Sequence, residues 1–108
     1  MLEEKFAKYD RMDKRFIENS LSPAVDFIKN NPDKILWCGE FGTIRHCDIK
    51  WCENRMRDVI SFCIEHKIPY CVWNYLSTPN DGNRFSLVDD DNRKILSDEM
   101  ARIIRGEV

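Results

Sequence analysis

Two segments of the chain contain apolar residues with helical spacing. In each segment they recur at i, i+4, i+7, i+8 and i+11, so that they share one face of an α-helix. They are Ile17, Leu21, Ala24, Val25 and Ile28 in the first segment and Cys52, Met56, Val59, Ile60 and Cys63 in the second. Asp13 and Asp48 precede these segments as N-caps. The pattern predicts two amphipathic helices, the first of which bends or restarts at Pro23.

A short apolar run follows each predicted helix, at residues 35–38 and 70–73. The two helix–run units repeat with a constant offset of 35 positions, since Ile17 corresponds to Cys52 and Ile35 to Tyr70. Both runs are almost continuously apolar, as expected for strands that are covered on both faces of a parallel sheet. We therefore predict two parallel strands, with the second helix as their right-handed crossover.

The remainder of the chain predicts a loop and a last helix. Turn residues dominate 77–83, a short extended piece is expected at 85–88, and Ser97 caps a helix that ends before Gly106. Residues 1–12 form a separate N-terminal segment, in which Leu2, Phe6 and Tyr9 have helical spacing. The order helix, strand, helix, strand, loop, helix indicates the α/β class. Because two parallel strands do not form a stable sheet alone, we expect part of a larger architecture.

The length and charge of the chain indicate which classes of partner are to be expected. Its 108 residues suffice for one small domain, and 17 basic and 19 acidic residues give a formal net charge of -2. This balance predicts neither a nucleic-acid partner nor an anionic membrane surface. No apolar run approaches the roughly 20 residues of a membrane span. The acidic, amphipathic N-terminus does not have the pattern of a secretory signal, and the localisation stays open.

The chain has an odd number of cysteines, and all but Cys47 fall in apolar patterns: Cys38, Cys47, Cys52, Cys63 and Cys71. We expect buried free thiols, which suit a reducing setting or a truncated secreted parent. A zinc site from His46, Cys47 and Cys52 is the alternative, but it has no C-x-x-C pair. We therefore expect neither a metal nor another cofactor.

The two strand ends carry the candidate chemistry. The first run ends in ILWCGEFG, where Glu40 stands between two glycines, and the second continues into Trp73, Asn74 and Tyr75. Ligands of parallel α/β sheets bind at the carboxyl ends of the strands. A carboxylate beside aromatic rings is typical of sugar recognition, because the rings pack on pyranose faces and the carboxylate serves as nucleophile or acid/base. The alternatives are a structural role for Glu40 and core packing for Trp73.

These segments resemble glycoside hydrolase family 5, the cellulase family of (β/α)₈ barrels. The resemblance runs in order from about residue 13 to 106 through ILWCGEFG, the helix at 50–66, PYCVWNY and FSLVDDDNRKIL. It matches the last part of that barrel, from the sixth to the eighth helix. The resemblance implies that residues 13–108 are a C-terminal fragment, a partial (β/α)₈ TIM barrel with about the last two strands, which are parallel, and three helices.

The resemblance also implies roles for the candidate residues. Glu40 matches the catalytic nucleophile, Trp73 matches the tryptophan that stacks on the sugar, and Asn74 and Tyr75 line the site. No position matches the acid/base glutamate of the fourth strand. The expected function is therefore that of a fragment of a retaining, endoglucanase-like hydrolase of β-1,4-glucan or a related β-linked polysaccharide, inactive by itself.

Two other classes of function remain open. One is a non-catalytic half-barrel module that associates with itself, or with the missing N-terminal part of the barrel, and binds sugar weakly at most. The other is a cysteine-dependent redox or metal protein. Nucleotide binding is disfavoured, because neither strand is followed by a glycine-rich phosphate loop.

Overall fold

A computed structural model describes residues 13–78, 80, 82 and 84–108 of the chain. The elements in chain order are α1 Lys14–Ser20, α2 Ser22–Asn30, β1 Cys38–Phe41, α3 Ile49–Glu65, β2 Tyr70–Val72 and α4 Asp98–Ile104. The predicted N-terminal segment 1–12, with its short helix at Leu2, Phe6 and Tyr9, lies outside the described residues. In the described part, none of the helices has the length and apolar character needed to cross a membrane.

The two strands form a parallel pair, as predicted, with α3 as the connection between them. Cys38 pairs with Tyr70, Glu40 with Cys71 and Phe41 with Val72, and the register is irregular between Cys38 and Glu40. The parallel arrangement places the carboxyl ends of both strands at one end of the sheet.

The first strand begins three residues later than its apolar run predicted. Backbone pairing starts where the Cys38 amide donates to the Pro69 carbonyl at 2.8 Å. Ile35 and Trp37, which the pattern assigned to a buried strand, have exposed fractions of 87% and 61%. The physical reason is that apolar character alone does not define a strand, which needs a neighbouring chain to bond with. Within the described residues, that neighbour begins at Pro69.

The helix boundaries follow the local signals in the sequence. The Asp13 side chain accepts hydrogen bonds from the Arg15 and Phe16 amides, and Asp48 accepts from the Lys50 and Trp51 amides. These contacts confirm both N-caps. The first helical segment is divided into α1 and α2, which begins at Ser22 with proline in its first turn. Proline has no amide hydrogen to donate, so a restart at this point loses no helical bond.

Helix α3 lies at the centre of the packing and contributes to both hydrophobic clusters. One cluster joins α3 to α1 and consists of Phe16, Ile17, Val59, Phe62, Cys63 and Ile68. The other joins α3 to α4 and consists of Cys52, Met56, Ile60, Met100 and Ile103. The apolar stripe predicted for the second helix is therefore fully buried. The stripe of the first is not, since Leu21 is exposed and only Ile17 of its members is buried.

A buried carboxylate connects α3 to the start of α4. Glu53 is buried on α3, and its Oε1 accepts a hydrogen bond from the Ser97 hydroxyl at 2.8 Å. The same hydroxyl accepts from the Met100 amide at 3.0 Å, which confirms Ser97 as the N-cap. The other carboxylate oxygen of Glu53 pairs with Lys50 at 3.2 Å. Past the other end of α4, Gly106 has a φ of +92°, as a helix stop requires.

The five thiols divide between buried and exposed positions. Cys52 and Cys63 are buried, and burial raises the pKa of both thiols, that of Cys63 to about 12 with a further contribution from Cys38. Cys38 is half-buried and Cys47 is exposed. The expected burial of Cys71 is wrong, since its side chain is exposed. Successive strand residues point to opposite faces, and its neighbours Tyr70 and Val72 are the ones that pack on the helices.

Candidate functional site

The carboxyl ends of β1 and β2 bring the predicted site residues to one end of the sheet. Glu40 is the third residue of β1, and Trp73 directly follows β2. The Trp73 amide donates to the Phe41 carbonyl at 2.7 Å, which extends the pairing by one residue beyond β2. Backbone pairing thus places Glu40 and Trp73 on adjacent strands at the same end of the sheet, while their joint role in a site stays a prediction.

Gly42 makes this close approach of the two strand ends possible. A Cβ atom at this position would lie 2.0 Å from the carbonyl oxygen of Trp73 and 3.2 Å from the ring of Phe85. At Gly39, the other glycine beside Glu40, a Cβ atom would have no neighbour within 4 Å. The motif therefore contains one glycine that packing requires and one that packing leaves free, a difference that the sequence does not reveal.

Three of the four predicted site residues are exposed. Glu40 is exposed, and Trp73 and Tyr75 have exposed fractions of 45% and 61%. The exposure of Trp73 argues against the alternative of core packing for its indole. Within the described residues, no group donates a hydrogen bond to the Glu40 carboxylate. A carboxylate with free access to solvent and an exposed indole on the next strand are both available to a ligand.

Asn74 differs from its neighbours because its side chain bonds inside the chain. Its Nδ2 donates to the Leu76 carbonyl at 3.3 Å, and its Oδ1 accepts from the Ser77 hydroxyl at 3.1 Å. The Trp73–Asn74 peptide bond is cis. The structure thus shows Asn74 as a residue that shapes the segment after β2, while its contact with a ligand stays a prediction.

Two buried serines close the loop behind Asn74. The Ser86 hydroxyl accepts from the Ser77 amide at 2.8 Å, and the Ser77 hydroxyl accepts from the Phe85 amide at 3.1 Å. The Leu87 amide donates to the carbonyls of Asn74 and Tyr75. Sequence reasoning missed these serines. They carry no periodic signal, because their partners lie on the far side of a loop.

The residues of the zinc alternative have other contacts. His46 Nε2 lies 3.3 Å from the Gly82 carbonyl, and the Cys52 thiol donates to the Ile44 carbonyl at 3.7 Å. In residues 13–78, 80, 82 and 84–108, no group of three or more histidine, cysteine, aspartate or glutamate side chains is placed to hold a metal ion. The Cys47 and Cys52 side chains lie close enough to interact, but among the described residues His46 does not join them in such a group.

Comparison with known proteins relates the chain to endoglucanases. It is 35% identical over 98 residues to Endoglucanase C of Acetivibrio thermocellus, a match that covers 87% of this chain and 25% of the relative. Endoglucanase C307 of Clostridium sp. (strain F1) matches with the same identity and coverage. No family model matches the chain. The chain thus contains a cellulase-related region and spans about a quarter of the length of the curated relatives that it matches.

Proposed function

We propose that the chain corresponds to the C-terminal part of a family 5-like (β/α)₈ barrel of a retaining β-glycan hydrolase. In this assignment β1 and β2 are the seventh and eighth strands of the barrel. The identity to endoglucanases supports it. The observation that carries it is the parallel pairing that brings Glu40 and Trp73 to the same end of the sheet, since the carboxyl ends of the strands form the active face of such barrels.

The proposed chemistry assigns a separate task to each side chain. The Glu40 carboxylate attacks the anomeric carbon of a β-linked glucan and forms a covalent glycosyl–enzyme, which water then hydrolyses. The Trp73 indole stacks on the apolar face of the pyranose ring, and the exposed Tyr75 ring lines the site beside it.

The reaction also needs a second carboxyl group. A retaining enzyme places it about 5–5.5 Å from the nucleophile, where it protonates the leaving group. General acid catalysis contributes typically about 10²–10⁴-fold in rate. None of these 108 residues matches the motif that supplies this group in the family. We therefore expect the 108-residue chain to show no turnover of carboxymethylcellulose above a Glu40→Gln variant.

The alternative is a non-catalytic module that associates with itself and binds sugar weakly. The exposure of Ile35 and Trp37 favours it, because apolar surface at a strand end is often covered by a partner. In this case Glu40 carries no special reactivity.

Trapping of the glycosyl–enzyme tests the nucleophile without requiring the acid. A 2-deoxy-2-fluoro-cellobioside with a dinitrophenolate leaving group needs no protonation, so that a competent nucleophile becomes covalently labelled. We expect intact-mass spectrometry to show one added glycosyl group, and peptide mapping to place it on Glu40.

Glu40→Gln should abolish the label, whereas Glu18→Gln, a change at another exposed glutamate, should leave it intact. Labelling that persists in Glu40→Gln would contradict the assignment of the nucleophile. An absence of label in the unmodified chain would favour the non-catalytic module.

A further inference from the structure

A concave surface lies beside α3, and we call it the α3 groove. Its volume is about 840 Å³, within the range of about 300–1,000 Å³ that is usual for ligand sites. Its lining includes Thr43, Ile44, Trp51, Asn54, Arg55 and Asp58. Thr43 directly follows Gly42 in the chain, so the groove begins where the segment leaving β1 turns toward α3.

One face of α3 supplies most of these side chains. Trp51, Asn54, Arg55 and Asp58 stand at i, i+3, i+4 and i+7, which places them on neighbouring turns of the same face. Trp51 has an exposed fraction of 78%, the largest among the three tryptophans of the chain. The hydrophobic clusters already use a different face of α3, at Cys52, Met56, Val59, Ile60 and Cys63. Packing in the described core therefore does not account for the indole.

The groove combines this aromatic surface with polar groups of balanced charge. Asp58 interacts electrostatically with Asp13, which also lines the groove, and with Arg55. A second arginine in the lining, Arg57, is already bonded to Glu99 at 2.7 Å and to the Asn54 Oδ1 at 3.0 Å. The lining thus has two carboxylates and two guanidinium groups. A ligand of either charge would meet groups of like charge there, whereas a neutral ligand with many hydroxyl groups would find both donors and acceptors.

We propose that the α3 groove is a second carbohydrate-binding site, which takes pyranose units of a β-glucan on the Trp51 indole. The asparagine amide, the guanidinium group and the carboxylate of the same helix face hydrogen-bond to the equatorial hydroxyls. The class of ligand rests on the proposed function, whereas the location rests on the groove itself. Because the groove adds binding contacts beyond those at the strand ends, we expect cellohexaose to bind more tightly than cellobiose.

Binding of cellohexaose and adsorption to amorphous cellulose test this site. The three tryptophans provide matched variants: Trp51→Ala in the groove, Trp73→Ala at the strand ends, and Trp37→Ala as an exposed control that does not line the groove. All are measured at a protein concentration below that of self-association, so that Trp37→Ala does not change the assembly state. An aromatic contact of about 0.5–1.5 kcal/mol corresponds to a loss of affinity of about 2- to 10-fold. We expect this loss in Trp51→Ala, a smaller one in Trp51→Phe, which keeps an aromatic face, and none in Trp37→Ala.

The outcomes separate the two sites. Equal affinity of Trp51→Ala and the unmodified chain, or no binding at all to any of these glucans, would overturn the α3 groove as a carbohydrate site. Circular dichroism spectra that match between variants ensure that a loss is local. The labelling of Glu40 is measured separately with a small glycoside, so that a failure there contradicts the proposed nucleophile and leaves the result for Trp51 to stand by itself.

Discussion

At the scale of single residues, Glu40 stands between two glycines, and a side chain is sterically excluded at only one of these two positions. The backbone of Trp73 occupies the space into which a side chain at Gly42 would project, whereas Gly39 faces open space. Backbone atoms do not move aside as the end of a flexible side chain does. The position of Trp73 relative to Glu40 therefore depends on Gly42.

We expect Gly42→Ala to lower the free energy of unfolding by about 1–3 kcal/mol, because the new methyl group forces the strand ends apart. Gly39→Ala is the control, with an expected change of less than about 1 kcal/mol in either direction. Urea unfolding followed by circular dichroism measures both variants. Equal midpoints for the two would show that the strand ends are not packed as described.

At the scale of elements, α3 organises the described structure, because α1 and α4 pack on it through separate clusters. The hydrogen bond between Ser97 and Glu53 adds one specific polar contact to this apolar packing. One hydroxyl both caps α4 and satisfies a carboxylate buried on α3. The start of α4 is thereby fixed to a particular turn of α3.

We expect Ser97→Ala to lower the free energy of unfolding by about 1–3 kcal/mol, since it removes a cap and leaves a buried carboxylate oxygen without its donor. Ser97→Thr keeps the hydroxyl group and should recover most of the loss. The midpoints of urea unfolding are compared among the variants, provided that their m-values are equal. If Ser97→Ala and Ser97→Thr unfold at the same midpoint as the unmodified chain, the bond to Glu53 does not hold α4.

At the scale of the whole molecule, the sheet has only two strands among the described residues. The outer edges of β1 and β2 have no strand neighbours there, and Ile35 and Trp37 expose apolar surface just before β1. Unpaired edges and exposed apolar groups favour association with other chains.

We expect the chain to self-associate at micromolar concentration, with a melting temperature that rises with concentration. The double change Ile35→Lys and Trp37→Ser should weaken this association, whereas Phe27→Ser, at an exposed apolar residue of α2, should not. Sedimentation equilibrium and thermal melts at several concentrations measure the effect. A cooperatively unfolding monomer whose melting temperature is independent of concentration would contradict the expectation.

The sequence alone predicted the features that local interactions control. Helical spacing, the N-caps Asp13, Asp48 and Ser97, and the restart at Pro23 all appear in the structure. Each depends on residues within one or two turns, so the pattern of the chain contains the information. The parallel pairing was also predicted, because a single helix of this length between two apolar runs makes a crossover the natural connection.

Only the tertiary structure decided the features that depend on distant neighbours. The start of β1 depends on its backbone bond with Pro69, and the requirement for Gly42 depends on the nearby backbone of Trp73. The exposure of Cys71 depends on which face of the sheet the helices cover. For the candidate site, the sequence predicted Glu40 and the aromatic residues, and the structure places them near the carboxyl ends of the two strands. The groove beside α3 appeared only once segments distant in the chain were packed together. The bonds of the Asn74 side chain are local, to Leu76 and Ser77, but no periodic pattern of the sequence indicates them. Side-chain types are read from the sequence, but free space, burial and hydrogen-bond partners are properties of neighbours that only folding brings together.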